Sequence, residues 1–232
     1  TDAATGQVSR LAETGWNRGD GSWPQTFEQA FIRFSYDEGR SWQDQIAVPQ
    51  WLGFGEVALC RAANGNIIAG CRSHMPSWYA GRSDYYSGVG VSVSQDNGVT
   101  WSPVSMLHTF GRHHPCMAVL EDGSIIMTYV VRLGYVDSED GFRQFGIEAV
   151  VSHDHGRTWD LDHKYILHAW TGNQTGKIAW YPSSQQTSSK LLPDGSIITA
   201  FGTGYRISEE QAPRDVGLVR WRLNTEPVNT DT

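Results

Sequence analysis

Apolar positions along this chain fall in short runs, and helical periodicity is nowhere sustained. Alternating or apolar stretches from Gln29 to Phe34, Gly88 to Val93 and Gly146 to Val151 predict strands. Three further pairs of apolar runs flank short turn signals. Val57 to Cys60 and Ile67 to Cys71 enclose Asn64-Gly65, and Met117 to Leu120 and Ile125 to Tyr129 enclose Asp122-Gly123. Leu191-Leu192 and Ile197 to Phe201 enclose Asp194-Gly195. Asn-Gly and Asp-Gly between apolar runs are strong short-range hairpin signals, because glycine takes up the positive φ that the reversal needs.

The strands belong to a repeat. Ser35, Asp37, Gly39, Ser41 and Trp42 set a pattern Ser-x-Asp-x-Gly-x-Ser/Thr-Trp that recurs from Ser94 to Trp101 and from Ser152 to Trp159. The aspartates Asp37, Asp96 and Asp154 are 59 and 58 residues apart. In each copy the Asp is expected to accept from turn amides a residue or two further on. The Trp offers a large apolar plate that can pack the turn against neighbouring strands. Each period thus holds about four strands and two hairpin turns, and four-stranded units repeated at this spacing predict an all-β propeller.

Composition narrows the partners. The chain has 232 residues, with 18 Lys plus Arg against 25 Asp plus Glu, a formal charge of −7. Nucleic acids and anionic membranes are held by basic surfaces, so neither is an expected partner. No apolar run approaches the roughly 18 residues of a spanning helix, so no membrane insertion is expected. Twenty-five glycines and ten tryptophans suit short strands joined by tight turns. Cys60, Cys71 and Cys116 form no Cys-x-x-Cys pair, and three thiols cannot all pair with one another. The first ten residues are polar and do not form a signal peptide, so a secreted or periplasmic location stays open.

The repeated pattern resembles the Asp box (BNR repeat) of the sialidase (neuraminidase) superfamily of propeller glycosidases. The resemblance runs from about residue 27 to Leu223 and includes Glu56 and Arg72 around Asn64-Gly65, the Gly-Arg-His-His-Pro run at 111–115, and the closing Leu-Val-Arg-Trp-Arg-Leu. It implies a six-bladed propeller of four-stranded antiparallel blades with Asp boxes. At about 58 residues per period this chain supplies about four, as one domain over 1–232 with the missing blades expected before residue 1.

Phase within the repeat picks out the candidate site. Glu56 lies eight residues before Asn64 and Arg72 lies seven after Gly65, so both sit at the open end of one hairpin, across from one another. Spacing alone fits a strand-end ion pair as well as a pocket. The resemblance implies that Glu56 polarises a tyrosine nucleophile and that Arg72 is one of three arginines gripping a sugar carboxylate, for which guanidinium forks are well shaped. His114, eight residues before Asp122, occupies the same phase one repeat later, either hydrogen-bonding sugar hydroxyls or capping its strand. His153 and His155 fill variable box positions and are expected to face solvent. For the third arginine the resemblance offers Arg143, nine residues before Ser152, with Arg132 as competitor.

The last repeat departs from the family. Eight residues before Asp194 stands Gln186, not tyrosine, and the position of the family's late glutamate falls on Gly202. Tyr181, in Trp180-Tyr181-Pro182, takes the nucleophile's place only if 185–189 form a loop. Asp20 and Asp84 carry no motif that makes either the acid. Aromatic clusters at Trp16, Trp23 and Phe27, at Trp78, Tyr79, Tyr85 and Tyr86, and at Trp170, Trp180 and Tyr181 either cap the core or stack on sugar rings.

The resemblance implies an exo-glycosidase that hydrolyses a terminal, acidic sugar in a central pocket, with a glycan as partner and with no metal or other cofactor. A non-catalytic carbohydrate-binding or scaffold propeller is the alternative. A third is a fragment that needs self-association or a partner to close the ring.

Overall fold

The computed structural model describes residues 8–13 (as backbone), 29–43, 45–74, 87–133, 144–171, 184, 186–203 and 215–223. Among them are fourteen strands, no helix and four antiparallel sheets. The first sheet has the order β1 (Val8–Glu13), β2 (Gln29–Ser35), β3 (Ile46–Leu52). The second runs β4 (Phe54–Arg61), β5 (Ile67–Ser73), β6 (Val89–Ser94), β7 (Ser105–His108). The third runs β8 (Arg112–Val119), β9 (Ile125–Val131), β10 (Gln144–Ser152), β11 (Asp160–Thr171). The fourth has β12 (Thr187–Leu191), β13 (Ile197–Thr203), β14 (Asp215–Trp221). These are propeller blades. The first strands β4, β8 and β12 pack successively on one another at the inner side, as the repeat phase requires.

The hairpin signals form one turn three times. Gly65 N donates to Ala62 O, Gly123 N to Leu120 O and Gly195 N to Leu192 O, at 2.9, 3.0 and 2.9 Å. In each, only the glycine is left-handed.

The three boxes are also superposable in their bonding. The serine hydroxyl donates to the aspartate and accepts the glycine amide, as in Ser94 Oγ to Asp96 Oδ1 at 2.8 Å and Gly98 N to Ser94 Oγ at 2.8 Å. The aspartate reaches further than sequence suggests. It accepts the backbone N–H four residues on, from Ser41, Thr100 and Thr158, each at 2.8 Å. The side-chain hydroxyl of the same residue binds the second carboxylate oxygen. Two consecutive left-handed residues, such as Asn97 and Gly98 at φ 64° and 90°, curl the chain tightly enough to bring that distant amide back.

Burial follows the blade contacts. Between the first two blades Trp101 tilts against Trp51 at 4.5 Å between ring centroids, among Ile32, Val48 and Ala69. Between the second and third, Ile68, Val89, Met127, Tyr129 and Val150 form a core on which Trp159 packs. Ile126, Val151 and Ile197 join the third to the fourth. His153 is exposed, but His155 is half-buried, a correction to the expectation that both face solvent. The reason is that its neighbour Gly156 is pressed onto Ile68, which draws the turn inward. Cys60, Cys71 and Cys116 are free thiols, and burial raises the first to about 12.

Candidate functional site

Strands β4 and β8 break register at the same phase, between Gly55 and Ala58 and between His113 and Cys116. At each bulge a non-glycine residue is left-handed, Glu56 at φ 46° and His114 at φ 51°. Such a backbone costs on the order of 1–3 kcal/mol, and bulges re-aim side chains next to functional sites. The side chains of these two residues turn toward each other. Glu56 Oε2 lies 2.6 Å from His114 Nδ1, while Glu56 Oε1 accepts from Arg72 Nη1 at 2.7 Å. Arg132, just beyond β9, places Nη2 3.3 Å from His114 Nε2 and donates to the Ser184 carbonyl at 3.3 Å. The four side chains Glu56, Arg72, His114 and Arg132 therefore make one connected cluster across the second and third blades, touching the approach to the fourth.

The cluster is dry. Arg72, Arg132 and His114 expose 6%, 1% and 8%, and Glu56 is the most open member with 26% of its side chain exposed. Beside it Arg112 lies 3.5 Å from the buried Glu148 carboxylate and donates to the Leu133 carbonyl at 2.7 Å. His113 is fully buried, and neither ring nitrogen has a hydrogen-bond partner among the described residues.

Charge states follow from these contacts. Burial pushes the Glu56 carboxyl up, but the His114 contact and the Arg72 charge outweigh it and hold the group down at about 2. Glu56 is thus a standing carboxylate, not a proton donor, at neutral pH. Burial lowers His114, which the Glu56 contact opposes and the arginine charges reinforce, leaving it below the ordinary imidazole value. Burial and then the Arg132 and Arg72 charges keep His113 neutral.

The remaining sequence candidates divide into two groups. Arg143 and Tyr181 lie outside the described residues, as do Asp20, Asp84 and the aromatics at 16, 23, 27, 78, 79, 85, 86 and 180. Gln186 is exposed just before β12, and its carbonyl accepts from Ser184 Oγ at 3.0 Å. A loop over 185–189 is not what forms: Thr187 to Ser189 pair regularly with Thr199 to Phe201. Their hydroxyls fasten them there, Thr187 Oγ1 donating to His114 O at 3.1 Å and Ser189 Oγ meeting Thr128 Oγ1 at 2.8 Å. Trp170 stacks on Phe201 at 6.1 Å between the third and fourth blades, so it caps the core. Arg112, Glu148 and His113 were not legible as site neighbours; the Arg-His-His-Pro run was the available signal.

Among the described residues no group of three or more His, Cys, Asp or Glu could hold a metal ion. The side chains gathered here suit a different task. Two buried arginines, with a fixed carboxylate and a neutral imidazole between them, can orient an anionic, hydroxyl-rich molecule.

No protein-family model matches the chain, and no curated protein does. Solved structures share the fold. A Dyadobacter fermentans protein of unknown function aligns with TM-score 0.61 and 14% identity, over 97% of this chain and 63% of that one. A Hadza microbial sialidase aligns with TM-score 0.60 and 12% identity, over 93% of this chain and 42% of that one. A polysaccharide lyase, an ulvan lyase, aligns with TM-score 0.56 and 13% identity, over 94% of this chain and 53% of that one. The chain spans less than two thirds of each of these structures, and at such identity the likeness is one of fold.

Proposed function

We propose that this chain carries the axial site of an exo-acting glycosidase that hydrolyses a terminal acidic sugar. The observation behind this reading is the convergence of Glu56, Arg72, His114 and Arg132 from two adjacent blades. In this reading Arg72 and Arg132 take the sugar carboxylate, with Arg143 as a further arginine, and Glu56 stays ionised to balance positive charge developing at the anomeric carbon. Sialidases use a tyrosine nucleophile as an exception to paired carboxylates, but the 185–189 loop that would carry Tyr181 to that place is not formed, so this reading assigns no nucleophile. The shared fold with a sialidase supports the reading. Residues 1–232 then act as one propeller domain.

A second reading is a binding propeller without turnover. It is favoured by the exposed Gln186 at the nucleophile's phase and by the occupation of both Glu56 oxygens.

A panel of fluorogenic glycosides of terminal acidic sugars, sialosides and uronides included, separates the two. Hydrolysis by the wild-type protein that falls at least about 100-fold in Glu56→Gln fits the glycosidase, and retained activity in Tyr181→Phe shows that another group is the nucleophile. Saturable binding of the free acidic sugars with no hydrolysis of any glycoside assigns the binding role instead. Solution mass reports whether copies associate to close the ring.

A further inference from the structure

We propose that His114 is the positioning residue of the axial site: as a neutral imidazole carrying its proton on Nδ1, it ties the Glu56 carboxylate of one blade to the Arg132 guanidinium of the next. The inference deepens the functional reading, since it concerns the same site, but its test needs no turnover.

The geometry leaves one protonation state. A carboxylate oxygen 2.6 Å from Nδ1 is tolerated only if that nitrogen carries a hydrogen. Arg132 Nη2, a donor with no acceptor capacity, sits 3.3 Å from Nε2, which must therefore present its lone pair. The imidazole thus meets the carboxylate across Nδ1 and the guanidinium across Nε2, and it does so at a left-handed residue held by a bulge and by Thr187 Oγ1 on its own carbonyl.

Glu56 of β4 faces Nδ1 and favours a second proton, but burial and the charges of Arg132, beyond β9, and Arg72 of β5 outweigh it, while His113 of β8 stays neutral beside the ring. His74, beyond β5, adds to the charges that lower His113. If the ring is protonated, a new Nε2–H points at a guanidinium that can only donate. Arg132 is then pushed off, and with it goes the hand-off to the Ser184 carbonyl near the fourth blade. Glu56 remains ionised throughout this range, so the acid limit of the site belongs to His114.

The test uses the whole chain with nitrogen-labelled histidines. Long-range proton–nitrogen spectra are expected to show His114 as the Nδ1–H tautomer at neutral pH. An Nε2–H tautomer or an imidazolium at neutral pH overturns the proposal. A second readout is the proton uptake on unfolding at about pH 5. His114→Asn, whose amide offers both donor and acceptor and whose backbone tolerates the left-handed region, is expected to fold and to take up fewer protons than wild type. Equal uptake in the two proteins contradicts the assignment. A protein that hydrolyses no acidic glycoside yet shows the Nδ1–H tautomer keeps this inference and loses the glycosidase.

Discussion

The repeated Ser-x-Asp-x-Gly turns and the inner-strand bulges are both built on left-handed residues, at opposite ends of the same blades. Asn97-Gly98 and its two counterparts close the outer hairpins; Glu56 and His114 sit where the inner strands begin. At the turns, backbone and side chains repeat together, so that three copies carry the same four hydrogen bonds. At the bulges only the backbone repeats, and a carboxylate in one blade answers an imidazole in the next. The hydrogen bonds of the repeated end close each turn on itself while its glycine and tryptophan pack on the preceding blade, whereas the varied end joins blades through paired charge.

The largest expected effect breaks the axial end. Arg72→Met leaves the Glu56 carboxylate without its guanidinium, and denaturant unfolding is expected to show a loss of about 3 kcal/mol, together with loss of acidic-sugar binding. Asp96→Asn at a box is expected to leave that binding within about twofold, because the turn is far from the cluster.

A second experiment sharpens the comparison within the turns themselves. The three box glycines share positive φ but differ in surroundings. A methyl group on Gly156 meets Ile68 at 2.8 Å, one on Gly98 meets Phe34 at 3.4 Å, and one on Gly39 finds only Trp42 at 3.9 Å. Gly156→Ala is therefore expected to cost about 3 kcal/mol, combining left-handed strain with overpacking, and Gly39→Ala about 1 kcal/mol of strain alone. Gly98→Ala should fall between them. Equal costs at the three sites would show that the boxes are not packed as described.

Acid separates the two ends next. His108 is lowered to about 4 by burial and then by the Arg112 charge, and His113 and His114 are lowered too. These groups bind protons more readily when unfolded, so the stability they contribute is full above about pH 6.5 and declines as pH falls toward their folded values. The box aspartates Asp37, Asp96 and Asp154 are held at about 2, chiefly by their turn hydrogen bonds, with burial opposing most strongly at Asp154. Their contribution is lost only between roughly pH 4 and 2. Stability from pH 7 to 5 is thus expected to decline through the axial and inner histidines, by up to about 1.4 kcal/mol per pH unit for each proton taken up. A flat profile in that interval contradicts the neutral, buried imidazoles.

The smallest effect belongs to a single box hydroxyl. Thr100→Val removes one bond to the exposed Asp96, and a slight fall in melting temperature with unchanged binding is the expected result.

Sequence made the periodic part of this structure readable because turn chemistry is local. Asn64-Gly65 and the box residues carry their hydrogen-bonding partners within a few positions, so their spacing sets the strands, the phase and the shared level of Glu56, Arg72 and His114. What escaped the reading is non-local or irregular. No residue type signals that Glu56 and His114 adopt positive φ, and His114 meets Glu56 only because neighbouring blades bring β4 beside β8. The Asp carboxylates reach four residues on because of a paired left-handed curl that the single glycine does not announce. Whether 185–189 looped out, the condition for Tyr181, was not set by residue type; Thr187 to Ser189 form a strand because buried hydroxyls on Thr128 and Thr199 receive them.

The convergence of two blades on one cluster is tested most directly by a double-mutant cycle on unfolding free energy with Glu56→Gln, His114→Asn and the pair. Contact across the blades predicts a coupling energy of about 1 kcal/mol or more between the two substitutions. Additive effects, with coupling indistinguishable from zero, would mean that the two side chains do not meet across the blades.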